Sequence, residues 1–188
     1  MGHESVMNTK KINPLTIQSK QWLLDALLQL MKEKKYNEIT IKELTERAGL
    51  DRKTFYRHFK AKDEILNIPI KEAFDKYIYN LRNLPMLSSH EANKAYFELC
   101  LQYIDFFKLL ESHGMLMIVL VKLSEYLPII NGMFLDDPVY SQKTAWGLTY
   151  EAGGIWNVTV RWISSGAKES PEEMAKMIDS IMPPIFQE

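Results

Sequence analysis

The chain has 188 residues, of which 46% are apolar and 25% are charged, and its formal net charge is −1. This composition is typical of a globular protein and excludes the collagen-like, fibrous and disordered classes. The longest apolar segments are interrupted by Lys122, Glu125 and Pro128, so we expect no membrane-spanning helix, which needs about 20 apolar residues. No secretory signal pattern is present at the N-terminus, and we expect a soluble, cytoplasmic protein.

A single cysteine, Cys100, occurs in the sequence. One thiol excludes an internal disulfide and a cysteine-based zinc site. We therefore expect no metal and no cofactor.

The two parts of the chain carry opposite charge. Residues 1–68 contain 13 Lys and Arg against 9 Asp and Glu, whereas residues 69–188 contain 10 against 15. The densest basic segment lies between Leu50 and Lys62, where Tyr56 and His58 are interleaved with the cations. Such a patch indicates an anion-binding surface, and the alternative is a solvated helix face.

Local signals predict three helices in the first third of the chain. Apolar residues spaced three and four apart indicate a helix over residues 16–35. Thr40 and Glu43 have the spacing of a capping box before a short second helix, which Gly49 ends. Asp51 can cap a short third helix, and this arrangement has the spacing of a helix-turn-helix.

The rest of the chain is also predicted to be helical. Asp63 can cap a fourth helix, which contains Pro69, where we expect a kink, and runs to about Leu84. Ser88 and Glu91 have the spacing of a capping box that opens a helix running to about His113. Further helices are predicted over residues 115–127, 138–165 and 171–182. The class is therefore all-α, with an N-terminal three-helix helix-turn-helix domain, a C-terminal helical bundle and about nine helices in total. We expect a flexible arm over residues 1–13, the first domain over 14–66 and the second over 67–188.

The third helix is amphipathic. At about 100° per residue, Phe55 and Phe59 share one edge, and Lys53 and Arg57 lie on the opposite side. We expect the phenyl rings to pack inward and the side chains of Lys53, Tyr56 and Arg57 to face outward, where a helix of this width fits the DNA major groove. The side chains that can hold phosphate oxygens are those of Thr40, Thr54, His58 and Lys62.

Three runs together carry a family resemblance: Ile39 to Leu50, Lys53-Thr54-Phe55-Tyr56-Arg57-His58-Phe59, and Lys62-Asp63-Glu64-Ile65-Leu66. They resemble the DNA-binding domain of the TetR/AcrR family of transcriptional regulators. The resemblance implies a homodimer that grips a pseudo-palindromic operator with paired third helices, and a C-terminal domain that binds a small effector and dimerises. By position it implies DNA-facing roles for Thr40, Arg52, Lys53, Thr54, Tyr56, His58 and Lys62.

The resemblance also implies that helices of the C-terminal half surround an effector cavity. The candidate lining residues are Phe97, Cys100, Tyr103, Phe107, Met115, Met117, Trp146 and Tyr150. Met and aromatic side chains suit a flat or apolar ligand. For each of these residues the alternative is an ordinary place in the core.

Two adjacent glycines, Gly153 and Gly154, lie inside a predicted helix, where each costs about 1 kcal/mol relative to Ala. We therefore expect another helix to approach closely there. The surrounding sequence resembles the C-terminal end of one TetR subgroup, and we predict a four-helix dimer interface formed by the last two helices. Its residues would be Gly153, Gly154, Trp156, Trp162, Met174, Ile178 and Ile181.

These observations favour a ligand-responsive DNA-binding regulator, a repressor released from a palindromic operator by a small apolar or aromatic effector. The alternatives are a transcriptional activator of the same fold and a small-molecule binding module with a vestigial helix-turn-helix. The sequence lacks phosphate-loop, nucleophile-elbow and dinucleotide-binding motifs. We therefore expect no enzyme activity.

Overall fold

A computed structural model describes residues 14–134 and 145–181. The regular elements of these residues are all helical, which confirms the all-α prediction. Nine α-helices are described: α1 (Pro14–Glu33), α2 (Ile41–Arg47), α3 (Arg52–His58), α4 (Asp63–Arg82), α5 (Ser89–Gln102), α6 (Ile104–Ser112), α7 (Met117–Asn131), α8 (Ala145–Ser164) and α9 (Pro171–Ile181). The predicted arm over residues 1–13 and the predicted helix start at Pro138 lie outside the described residues.

The chain divides into two compact units, residues 1–66 and 67–188. In the first unit, α1 packs against α2 and α3. The side chains of Leu23, Leu27, Leu44 and Phe55 are fully buried in this unit. Burial of such side chains supplies most of the stability of a small helical domain, at about 1.5–3 kcal/mol each.

The core of the second unit is rich in aromatic rings. Tyr96 contacts Phe97 with ring centroids 5.3 Å apart, and Phe97 contacts Trp162 edge to face, also at 5.3 Å. The hydroxyl of Thr159 is fully buried and donates to the carbonyl of Ile155 at 2.7 Å, and it also lies 3.0 Å from the Tyr96 hydroxyl. The buried hydroxyl of Thr159 is therefore satisfied by hydrogen bonds within this core.

Two predicted boundaries are wrong. The helix predicted to run to His113 is divided at Tyr103, whose φ of −107° and ψ of 16° interrupt α5 and start α6. No glycine or proline marks this break in the sequence. Pro128 was expected to end the next helix, but α7 continues to Asn131 because Pro128 costs one backbone hydrogen bond while Leu127 and Ile130 are buried beside it.

One segment, Met117–Phe134, is long and apolar enough to cross a membrane by length and composition. This corrects the expectation that no segment reaches such a length, because Lys122 and Glu125 are its only charges and Pro128 does not interrupt the helix. The segment packs against α8 within the second unit. Its buried side chains are those of Val119, Leu123, Leu127, Ile130 and Phe134.

Candidate nucleic-acid interface and interior cavity

The third helix is held in the first unit by one aromatic edge. Phe55 is fully buried and Phe59 is 6% exposed, which confirms that these rings face inward. Phe59 lies just beyond the helix, with extended backbone angles, and still packs 5.9 Å from Phe55 between ring centroids. On the other side, Tyr56 is 61% exposed, and Lys53 and Arg57 are exposed as well.

Local capping sets the ends of α2 and α3. Thr40 and Glu43 form both hydrogen bonds of a capping box, with the Glu43 N–H donating to the Thr40 hydroxyl at 3.2 Å and the Thr40 N–H donating to the Glu43 carboxylate at 3.0 Å. Gly49 adopts a φ of +66° and ends α2, a conformation that costs Gly least. The Asp51 carboxylate caps α3 by accepting from the Thr54 N–H at 2.6 Å. These contacts confirm the predicted turn.

The capping carboxylate of Glu43 is also an ion-pair partner. Hydrogen bonds from the Lys34 ammonium and from Thr40 lower the pKa of Glu43 to about 2. Glu43 therefore stays charged at physiological pH. Thr40 itself is exposed, and its hydroxyl donates to Glu43 at 2.9 Å.

The ammonium of Lys62 is engaged inside the first unit. It donates to the carbonyl of Tyr36 at 2.5 Å and to the carbonyl of Ile39 at 2.8 Å, and it lies 4.2 Å from the centroid of the Tyr36 ring. The Tyr36 hydroxyl in turn donates to the Asp63 carboxylate. Burial lowers the pKa of Lys62. Lys62 therefore ties the segment before α2 to the start of α4.

His58 occupies the last position of α3. Its Nε2 atom is buried and has no hydrogen-bond partner among the described residues. Burial, followed by the nearby charges of Arg57 and Lys20, lowers the pKa of His58 from its ordinary value. The ring is therefore neutral at physiological pH and adds no cation to the surface.

Four other basic side chains of the patch are exposed: Arg52, Lys53, Arg57 and Lys60. Arg57 has a marginal contact of 3.5 Å with the Thr54 hydroxyl. The one acid among them, Asp51, has a lowered pKa, first because of its hydrogen bonds to Thr54 and then because of the charges of Arg57 and Lys53. The face is thus cationic and available to an anion.

The second unit encloses a small apolar cavity of about 20 Å³, which is room for about one water molecule. Its lining comes from α4, α5, α6 and α7 and consists of Pro69, Ile70, Ala73, Phe74, Tyr96, Leu99, Cys100, Phe106, Phe107 and Val119. Of the residues predicted for an effector pocket, Cys100 and Phe107 are among them. Burial raises the pKa of the Cys100 thiol to about 12, so this sulfur is an uncharged, apolar part of the wall.

The other predicted pocket residues lie elsewhere. Phe97 is fully buried in the aromatic core, and Tyr103 and Met115 are partly buried. Met117, Trp146 and Tyr150 are exposed by 63%, 84% and 81%. Exposed side chains cannot line this enclosed space, so the assignment of these three is corrected.

The residues predicted for the dimer interface also divide into two groups. Trp156, Trp162, Met174 and Ile178 are each at most 4% exposed and are core residues of the protomer. Because their side chains already pack inside one copy, their assignment to the interface is corrected as well. Gly154 and Ile181 are exposed and Gly153 is partly exposed, and a Cβ added at either glycine would meet no atom within 4 Å.

Three features of the structure were not predicted from the sequence. The partnership of Tyr36 with Lys62 joins residues 26 positions apart and has no local signal. The cavity lining from α4, including Pro69 and Ala73, depends on tertiary packing. The exposure of Trp146 and Tyr150 on α8 was also not predicted, since both were expected to line the effector cavity.

Comparison with known proteins agrees with this geometry. Residues 23–67 match the family model described as bacterial regulatory proteins, tetR family. No curated protein matches the sequence significantly. Residues 23–67 therefore form a DNA-binding domain of the TetR family.

Solved structures share the fold along almost the whole chain. Lin0861 from Listeria innocua has a TM-score of 0.76 at 17% identity, covering 90% of this chain and 92% of its own. The fatty acid degradation regulator FadR from Bacillus halodurans has a TM-score of 0.61 at 16% identity, covering 92% and 96%. The dihydroxyacetone kinase operon activator DhaS has a TM-score of 0.55 at 18% identity, covering 88% and 94%.

The tie made by Lys62 can be tested by removing its charge. In Lys62→Met the carbonyls of Tyr36 and Ile39 lose a charged donor, and we expect the free energy of unfolding to fall by about 1–3 kcal/mol. Lys60→Met, at an exposed position two residues away, should change it by less than about 0.5 kcal/mol. Urea unfolding of both variants measures the difference, and equal effects would show that the tie does not stabilise the protein.

Proposed function

We propose that the chain binds a pseudo-palindromic operator as a homodimer, with one α3 helix in each of two successive major grooves. The observation that carries this proposal is the orientation of α3, which buries Phe55 and exposes Lys53, Tyr56 and Arg57. Two such helices must be about 34 Å apart to engage both half-sites, because that is one turn of DNA.

The side chains of the interface have different roles. Lys53, Tyr56 and Arg57 lie on the outward flank and read base edges. Arg52, Thr54 and Thr40 contact phosphate oxygens and fix the register. Two of the three N–H groups of Lys62 donate to backbone carbonyls, so Lys62 positions α2 and the turn that follows it and does not contact DNA phosphate. Neutral His58 packs at the end of α3 and contributes no charge.

The second copy docks on the exposed stripe of α8, which we define as Trp146, Tyr150, Gly154, Asn157 and Arg161. All five residues are exposed and share one face of the helix. Gly154 offers a site of close approach, since a Cβ there would meet nothing within one protomer.

This stripe is complementary to itself. Its aromatic residues precede Gly154 by four and eight positions, and its polar residues Asn157 and Arg161 follow by three and seven. Two antiparallel α8 helices that cross at Gly154 would therefore set the aromatic half of each against the polar half of the other, with Arg161 over an aromatic ring. A twofold axis requires a surface that matches itself in this way.

The effector is a small apolar molecule that binds by expanding the cavity behind Pro69 and Phe107. Support comes from the lining, which is almost entirely apolar and includes Cys100 as an uncharged thiol. The cavity has room for about one water molecule, so binding must displace α4 or the phenyl rings of α6. Because α4 also begins in the first unit, its displacement changes the spacing of the α3 helices.

The effector acts on operator binding through a coupling free energy. An effector that weakens operator binding must itself bind more weakly to the DNA complex by the same factor, typically about 5- to 150-fold. Release from DNA on effector binding corresponds to a repressor. Since the similar structure DhaS is an operon activator by name, activation is the second candidate, and transcription measured with and without the protein distinguishes the two.

Charge reversal on the outward flank of α3 tests the DNA interface. For Lys53→Glu combined with Arg57→Glu we expect specific binding to genomic fragments to fall by at least about 100-fold, since each lost base contact costs about 1–3 kcal/mol. The matched control is Lys108→Glu combined with Lys168→Glu, which makes the same change of net charge at exposed positions of the second unit.

Fragments recovered by selection with the purified chain provide the probes, and retention is measured by mobility shift. Unchanged retention by the α3 variant would favour the small-molecule binding module with a vestigial helix-turn-helix. Equal loss in the control would mean that overall charge, and not α3, governs binding.

The dimer surface is tested by Gly154→Leu. In the single protomer Gly154 is exposed and a Cβ there meets no atom within 4 Å, and the substitution replaces a helix-weakening residue, so the thermal stability should not fall. In the dimer the leucine would separate the two helices, and we expect sedimentation to show a larger monomer fraction. Glu98→Leu, which adds an exposed leucine to α5, should leave the dimer intact. A dimer of unchanged affinity in Gly154→Leu would remove α8 from the interface.

The cavity is tested by Val119→Leu, which adds one methylene group to a lining residue that is 3% exposed. We expect indole, used as an apolar probe, to raise the melting temperature of the unmodified protein by preferential binding to the folded state. The shift should be lost in Val119→Leu and kept in Val121→Leu, the same change at a residue of α7 that is 54% exposed. An equal shift in both variants would place the probe outside this cavity.

A further inference from the structure

A cluster of charged groups joins the beginning of α5 to α9 in the second unit. The ring of His90 lies between two carboxylates of α9. Its Nδ1 atom is 2.6 Å from the Asp179 carboxylate, and its Nε2 atom is 3.4 Å from the Glu172 carboxylate. The side chain of His90 is 31% exposed, so the cluster can exchange protons with solvent.

The neighbouring groups make His90 the cationic partner of Asp179. Glu172 also pairs with Lys94 of α5 and Lys176 of α9, each at 3.2 Å. Asp179 otherwise accepts from the Asn93 amide at 3.1 Å, and no lysine pairs with it among the described residues. Asp179 thus depends on His90 for a balancing charge.

The geometry depends on the protonation state of the ring. A neutral imidazole carries one N–H, so it can donate to only one of the two carboxylates, whereas the imidazolium ion donates from both nitrogens. In the neutral form with hydrogen on Nδ1, the lone pair of Nε2 faces the negative Glu172, which is repulsive. The hydrogen bond to Asp179, followed by the charges of Asp179 and Glu172, raises the pKa of His90 from its ordinary value of 6.5.

We propose that His90 is a proton-dependent latch that fastens α9 to α5. The protonated ring bridges Asp179 and Glu172, and loss of the proton opens the Glu172 contact and leaves Asp179 without a cation. The apolar face of α9, formed by Met174, Ala175 and Ile178, is buried, and its packing does not itself involve a proton. The latch therefore controls local opening of α9 and not the overall fold.

The pH range follows from the direction of the shift. Because the pKa of His90 is higher in the folded protein, its stabilising effect is complete below about pH 6.5 and is lost as pH rises through the folded pKa. The contact of α9 with α5 should therefore weaken at pH values above the pKa of His90 in the folded protein.

The test uses the full chain and two measurements. An NMR titration of the histidine side chains should give His90 a pKa above 6.5. Hydrogen exchange of the α9 amides, corrected for intrinsic rates, should show less protection at about pH 8.5 than at about pH 6, by up to about tenfold per unit by which the pKa of His90 exceeds its ordinary value.

Three variants separate the latch from general effects of pH. His90→Gln should remove the pH dependence of α9 protection, and His113→Gln should preserve it. Asp179→Asn leaves His90 in place and should lower its measured pKa, which keeps the proposal testable if His90→Gln does not fold. A His90 pKa at or below 6.5, or the same pH dependence in His90→Gln, would overturn the proposal.

Discussion

The burial of Phe55 is the contact on which the rest of the first unit depends. A helix as short as α3 is marginal by itself in water, so packing and caps, not intrinsic propensity, hold it in place. Burying one large ring stabilises the unit by about 1.5–3 kcal/mol and also fixes the rotation of the helix about its axis. With that rotation set, the side chains of Lys53 and Arg57 have no route to the interior. The exposed cationic face of α3 is thus a consequence of core packing.

In the first unit core packing creates the exposed cationic face, whereas in the second unit core packing opposes the entry of a ligand. The aromatic rings of the second unit contact one another so closely that the cavity beside Phe107 has room for only about one water molecule. A densely packed interior resists continuous deformation and changes between discrete arrangements. If an effector enters here, its binding energy must offset the loss of some packing around α4. Such a ligand would favour the conformation in which α4 is displaced. Coupling between two sites requires a ligand to favour one conformation over another in this way.

Short-range sequence signals were sufficient to predict the turn between α2 and α3. The capping box of Thr40 with Glu43 and the cap at Asp51 are made within four residues, so their spacing specifies their structure. The break at Tyr103 has no such local signal, because neither glycine nor proline occurs there. On α8 both faces carry apolar residues, and hydrophobicity alone could not show that Trp156 points inward while Trp146 points outward. The sequence therefore predicted the helices well, but it did not predict which side chains of α8 are buried and which are exposed.

The basic patch illustrates why charge counts overestimate a binding surface. A cation contributes to the salt dependence of DNA binding only if it is free to replace counterions at a phosphate. Lys62 is hydrogen bonded to two carbonyls, and His58 is neutral, so neither meets that condition. Arg52 and Lys60 remain exposed and do meet it. A chain with a net charge of −1 can still grip a polyanion, because affinity depends on the few cations that the fold leaves unengaged on one face.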